Sequence, residues 1–310
     1  MLTMNKLISV FCVFLFLISC SGDSSGDVLL PSEVLNVPGT RYSASKTSFN
    51  TTYSSLNNVL AEDERINEII EVDLAANARS LGRVLHPLKV VLFQNPELDS
   101  NLLQRNQLAG LDLPHKILVY QNSDDVVYAL YNSVAYLVSR YNLQETENLD
   151  QISETLEGLA TSATSAEVKR ASNITVEAEE GIITKVSNLN FEETYSNLVN
   201  AISLNENFKV IGEIDHQTNA SDVGVNLSPT KLILLENIVL ETSLVQSSQT
   251  LALDLPLKIL VWEDEGGMVK ISYNNPFYLE ERHSITNHQT ELEQLLVALD
   301  EFSSVAAAAN

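Results

Sequence analysis

The sequence predicts an α+β protein built from two similar copies of one domain. Three observations carry this. The stretch LDLPHKILVY at Leu111–Tyr120 returns as LDLPLKILVW at Leu253–Trp262, 142 positions on. The register set by that pair holds without a gap from Phe49–Tyr141 against Phe191–His283, keeping Gly82/Gly224, Pro87/Pro229 and Asn95/Asn237 in step. Each copy also alternates stretches of helical and of strand periodicity. A repeat this long exceeds a solenoid unit, and each copy is large enough to own a core.

The elements follow in order. Phe49, Tyr53, Leu56 and Leu60 correspond to Phe191, Tyr195, Leu198 and Ile202. Their spacing of four, three and four puts each set on one face of a helix. Burying four such side chains is worth roughly 6–12 kcal/mol before entropy is charged. INEIIEVDLAANA and FKVIGEIDHQTNA then read as strands, each followed by a short polar segment carrying Gly82 or Gly224. PLKVVLFQNP and PTKLILLENI hold continuous apolar runs bounded by Pro and Asn, as in a strand buried on both faces. Asn95 is a helix cap, Pro96 suits the first turn, and Leu98, Leu102 and Leu103 form the apolar face.

Pro114 and Pro256 end the helical region, and KILVY and KILVW are strands. Gly266-Gly267 supplies the positive φ of a tight hairpin in the second copy. Asp124-Asp125 stands there in the first, where a looser hairpin is expected. An acidic helix closes each copy, in NLDQISETLEGLATSA and TELEQLLVALDEFSSV, with the offset moving to 143. The expected layout is a signal peptide at 1–19, a flexible tether at 20–37, domains at 38–165 and 166–304, and a tail at 305–310.

Acidic residues outnumber basic ones by 41 to 18. Such a field repels phosphate, so nucleic acid is excluded as a partner. Both cysteines, Cys12 and Cys20, lie in the first twenty residues, leaving no later disulfide or Cys-based metal site. MLTMNKLISVFCVFLFLISC has a basic start and an apolar run too short for an ordinary spanning helix. Its end, LISC, resembles a bacterial lipoprotein signal, which implies cleavage before Cys20 and lipid attachment to its thiol. Ser21 directly after that cysteine is similar to lipoproteins sent to the outer membrane. The expected location is therefore the cell envelope, anchored by lipid, facing the periplasm or the cell surface.

Phe191, Glu193 and Thr194, then Leu255, Pro256, Val261, Glu263, Gly266 and Gly267, resemble the domain-of-unknown-function family numbered 302. The first copy resembles it through Phe49, Asn95-Pro96, Leu113-Pro114 and Val119. The resemblance implies a curved, mainly antiparallel sheet packed by helices on one face, often paired in dimers. A tandem chain is then an internal pseudo-dimer. Family 302 brings no established activity. Some members carry a cysteine near the Asn-Pro strand end, but LFQNP and LLENI have none here.

No HExxH, Ca²⁺ loop, phosphate loop or nucleophile elbow is present, so neither a metal nor a cofactor is expected. His86, His115, His216, His283 and His288 read as surface residues the repeat does not need. The Asp112/Asp254 pair reads as a local backbone hydrogen bond, and Lys116 and Lys258 as snorkelling chains. The function expected is non-catalytic binding of a small ligand or an envelope protein, in a cleft between the two copies. One alternative is a hydrolytic or redox envelope enzyme using His216, Asp215 or His115. The other is a structural anchor for a partner protein.

Overall fold

The computed structural model describes residues 35–143 and 147–308. Cys20, the expected signal peptide and most of the expected tether lie outside the described residues. The first repeat runs β1 (Thr40–Ala44), α1 (Phe49–Glu62), β2 (Asn67–Asp73), α2 (Leu74–Ser80), β3 (Leu88–Gln94) and α3 (Pro96–Arg105). A short 3-10 helix (Gln107–Leu111), β4 (His115–Gln121), β5 (Val127–Asn132), α4 (Val134–Tyr141) and α5 (Glu147–Thr164) complete it. After a connecting strand, β6 (Lys169–Arg170), the second repeat gives β7 (Ile182–Val186), α6 (Phe191–Ser203), β8 (Lys209–Asp215), α7 (His216–Asp222), β9 (Thr230–Glu236) and α8 (Ile238–Ser247). Its own 3-10 helix (Gln249–Leu253), β10 (Leu257–Glu263), β11 (Val269–Asn274), α9 (Pro276–His283) and α10 (Gln289–Ala307) follow.

Both sheets are antiparallel, ordered β2-β3-β4-β5-β1-β6 and β7-β11-β10-β9-β8. Equivalent irregularities interrupt β2 after Glu68 and β8 after Val210. Two long helices cover one face of each sheet, α1 with α5 and α6 with α10. Their apolar stripes explain this: Leu56, Leu60, Leu198 and Ile202 are all buried. Phe49 stacks on Tyr53 with ring centroids 6.1 Å apart, and Phe191 on Tyr195 at 6.3 Å. Buried positions in α5 and α10 pair at offset 143, as in Leu149/Leu292, Ile152/Leu295, Leu156/Leu299 and Leu159/Phe302.

The opposite face of each sheet receives the other repeat. Successive strand residues point to opposite faces, so Lys116 and Leu118 face away from α5, as Lys258 and Leu260 face away from α10. The first 3-10 helix lies on β10, and a Cβ on its Gly110 would press on Leu260. The second 3-10 helix lies on β4 in the same way. Asn77 Nδ2 donates to Glu236 Oε1, and the equivalent Asn219 donates to Gln94 Oε1. Gln107 and Gln249 likewise donate across the junction, to the Glu263 and Gln121 carbonyls. The two repeats therefore form one body.

Several expectations need correction. The first hairpin is no looser than the second, because Asp125 takes φ 63° where Gly267 takes 77°. Asn122 and Asp264 use their side-chain oxygens alike, each accepting two backbone N–H groups of its turn. Lys169–Arg170, assigned to the second domain, pairs with β1 of the first sheet. Leu35 and Val37, assigned to a flexible tether, are buried, and α10 runs through Ala307 into the expected tail. Gly39 and Gly181 have positive φ and abut the Tyr136 and Tyr278 rings, where any Cβ would collide.

Candidate functional site

The repeated decapeptide builds the centre of the junction. Each 3-10 helix ends on an aspartate, Asp112 or Asp254, followed by a cis Leu–Pro bond at Leu113-Pro114 or Leu255-Pro256. The strand then places Lys116 or Lys258 on the junction face. The helices α4 and α9 bring Arg140 and Arg282 to the same point. Arg140 Nη1 donates to Asp112 Oδ2 at 2.9 Å, and Arg282 Nη1 to Asp254 Oδ2 at 2.7 Å.

Each arginine also reaches across. Arg140 Nη2 donates to Asn274 Oδ1 (2.8 Å) and to the Glu180 carbonyl (2.9 Å). Arg282 Nη2 donates to Asn132 Oδ1 (2.6 Å) and to the Pro38 carbonyl (3.1 Å). Arg140 lies 4.8 Å over the Tyr278 ring, and Arg282 4.3 Å over the Tyr136 ring. The exchange obeys a pseudo-twofold symmetry, the pattern of an isologous dimer contact held within one chain.

The symmetry breaks at one aligned pair. Tyr141 donates its hydroxyl to Asp112 Oδ2 at 2.6 Å, whereas His283 Nε2 sits 2.6 Å from Asp254 Oδ2 with Nδ1 3.0 Å from the Thr250 hydroxyl. Burial lowers the His283 pKa against the pull of Asp254. A neutral ring therefore donates from Nε2 to the carboxylate and accepts at Nδ1, doing the work of the tyrosine hydroxyl.

Burial resists ionisation of Asp112, yet Arg140, Lys116 and Lys258 outweigh it and hold its pKa at about 2. Asp254 is likewise held well below the ordinary carboxylate range, by Arg282 and His283 against the cost of burial. Burial, then the Lys116 charge, drive the Lys258 amine well below the usual lysine range. Lys116 Nζ lies 3.8 Å from Asp254 Oδ1 and 4.0 Å from Asp112 Oδ1. Its side chain is only 1% exposed, so the pair is sealed from solvent. Such a centre fixes how the repeats meet; it offers no access for a substrate.

The aspartates therefore do more than bond locally, and Lys116 and Lys258 do not snorkel. His115, His216 and His283 are buried, not surface residues. The expected cleft between the repeats is occupied by these packed side chains. Sequence reasoning passed over Arg140/Arg282 and Tyr136/Tyr278 and took Asn132/Asn274 only as markers of the returning strand, although each pair is identical at offset 142. A charged residue kept in both copies beside an apolar stripe was the available signal.

Of the residues assigned to possible catalysis, His115 and His216 converge on one carboxylate. His115 Nε2 is 3.0 Å from Asp99 Oδ1, though not aligned as a hydrogen bond, and Asp99 Oδ2 accepts the Asn95 N–H. His216 comes from the other repeat, and burial lowers its pKa to about 4 against the attraction of Asp99. Asp215 does not join them. It caps α7 by accepting the Thr218 N–H and pairs with Lys231 at 3.4 Å. At the symmetry-related position Glu241 has Leu257 and Leu74 in place of the histidines, and burial raises its pKa to about 8.

An open cavity of about 540 Å³ lies between β1, α4, α5 and the connector that carries β6, with Tyr136 of the junction among its lining residues. Arg41 of β1, Arg170 of β6, the first turn of α4, Asp150 and Ser153 of α5, and residues 172–176 line it. Among the described residues no group of three His, Cys, Asp or Glu side chains is placed to hold a metal ion. No described helix is long and apolar enough to cross a membrane.

Fold and junction define a tandem α+β module whose two halves pack against one another. The family model "Domain of unknown function DUF302" matches residues 41–162 and again 182–301, and the chain belongs to that family. A crystal structure of the uncharacterized conserved protein DUF302 from Bacillus stearothermophilus is similar at 16% identity and TM-score 0.38, covering 41% of this chain and 98% of that one. Fluoride-specific ion channel FluC 1 of Brucella suis biovar 1 is 35% identical over 107 residues, 34% of this chain and 42% of that protein. FluC 1 of Brucella abortus biovar 1 matches equally over 39% of its length. The chain spans about two fifths of these relatives.

Proposed function

We propose that the chain is a lipid-anchored, non-catalytic binding module of the cell envelope, held to its membrane by Cys20. The observation that carries this reading is the open cavity of about 540 Å³ in the first repeat, within the range of small-ligand sites. The ionisable groups gathered elsewhere are sealed. His115, His216 and Asp99 are all buried, and Asp215 is engaged as a helix cap, which favours binding over catalysis. The sealed junction supports a rigid platform: the two repeats hold one another, and the cavity rests on that frame.

The test is a thermal-shift screen of the purified full chain against envelope-derived small molecules. A bound ligand raises the melting temperature by mass action. A flat response across the screen contradicts the reading. Anchoring is tested separately with Cys20→Ser, which is expected to abolish incorporation of labelled fatty acid; labelling that persists removes Cys20 from the account.

A further inference from the structure

We propose that the cavity beside β6 is an anion site, taking a small hydroxylated ligand that carries one carboxylate or phosphate group. This rests on the binding-module reading and adds the chemistry of the ligand. Arg41 and Arg170 are direct partners in the antiparallel β1–β6 pair. Side chains of such partners share one face of the sheet, and like charges there repel. The chain has 18 basic residues against 41 acidic ones, yet it sets two guanidinium groups side by side on one cavity wall.

Glu157 meets only one of them, Arg41, at 3.1 Å. The Arg170 side chain is exposed, and its guanidinium makes no hydrogen bond or ion pair among the described residues. The amino end of α4 opens on the same space. Ser133 Oγ accepts the Tyr136 N–H at 3.2 Å, leaving the Val134 and Ala135 N–H groups without an intrahelical acceptor. The unpaired Arg170 guanidinium, the Glu157-paired Arg41 and the first turn of α4, with two N–H donors, border the same cavity, a donor set that favours an oxyanion. Ser153 and Thr175 bring hydroxyls and Asp150 an acceptor, which suit ligand hydroxyl groups beside the charged one. The second sheet has no counterpart of β6 among the described residues: β7 is its edge strand.

The test uses the full chain in detergent micelles with three probes: glucuronate, glucose 6-phosphate and uncharged glucose. Backbone amide shifts and calorimetric titration are read. At least one charged probe is expected to shift the Val134 and Ala135 amides and to bind more weakly as salt rises. Whichever charged probe binds more tightly assigns the group as carboxylate or phosphate. Arg170→Ala is expected to weaken that binding about tenfold, the loss of one charge-assisted contact, while the melting temperature of the free protein stays unchanged. The anion assignment is overturned if glucose binds as well as the charged probes, if Arg170→Ala leaves affinity unchanged, or if neither charged probe binds. Binding of glucose alone leaves the module reading standing, whereas silence across the wider ligand screen removes both.

Discussion

Arg140 of the first repeat donates to the side-chain oxygen of Asn274 in the second, 2.8 Å away and fully buried. Its counterpart, Arg282, does the same to Asn132. Removing one partner from a buried ionic centre strands the other charges, at a typical cost of about 3–5 kcal/mol. Arg140→Ala is therefore expected to lose stability on that scale in urea titrations. Combining it with Asn274→Ala in a double-mutant cycle should give strong coupling, because the two contact each other directly. Simple additivity contradicts the contact.

The junction also governs how a separated repeat behaves. Arg282 needs Asn132 and the Pro38 carbonyl, both supplied by the first repeat. A second repeat expressed alone lacks them but carries the equivalents, Asn274 and the Glu180 carbonyl. Two such chains are expected to pair as a homodimer through the same exchange. Light scattering after size separation reads the mass; a stable folded monomer contradicts the expectation.

Glu241 makes stability depend on pH in the alkaline direction. Its pKa moves from 4.5 to about 8 on folding, so the folded state holds a proton that the unfolded state releases. Stability from this group is full below about pH 4.5 and falls as pH rises through 8. Glu241→Gln keeps an oxygen to accept the Asn237 N–H and should flatten that decline. Denaturant midpoints at several pH values check this, and parallel profiles for the two proteins argue against a buried neutral acid.

His216 acts in the opposite sense. Its pKa falls from 6.5 to about 4 on folding, so the folded state resists protonation. The stability this confers is present above pH 6.5 and is lost as pH falls through 4. His216→Leu adopts the residue found at the equivalent Leu74. Acid titration should show a smaller loss in the variant between pH 6.5 and 4, whereas an identical loss places the proton elsewhere.

Much of this fold was legible because the chain states it twice. Helix faces such as Phe49–Leu60, the buried strand Val90–Phe93 and the closing-helix shift all follow from apolar spacing, which the core enforces locally. The strands β1 and β7 were missed, being five residues each with little apolar pattern. The junction was misjudged for a different reason. His115 and His216 looked dispensable when each was compared with its own repeat equivalent, Leu257 and Leu74. Their packing depends on the other repeat, which linear spacing does not show. The alternation of Tyr141 with His283 hid a shared role as donor to an aspartate, since the two side chains are chemically unlike.

The chain has a single tryptophan, Trp262, on β10 in the second repeat, with its indole N–H donating to Ser272. Arg140 lies in the first. Urea unfolding of Arg140→Ala, followed by Trp262 fluorescence and by far-ultraviolet dichroism together, measures whether the repeats stand or fall as one body. The expected result is one transition, moved to lower urea equally by both signals. A Trp262 transition that stays at its wild-type midpoint while the dichroism splits into two steps would show that the halves fold independently and that the buried exchange does not bind them.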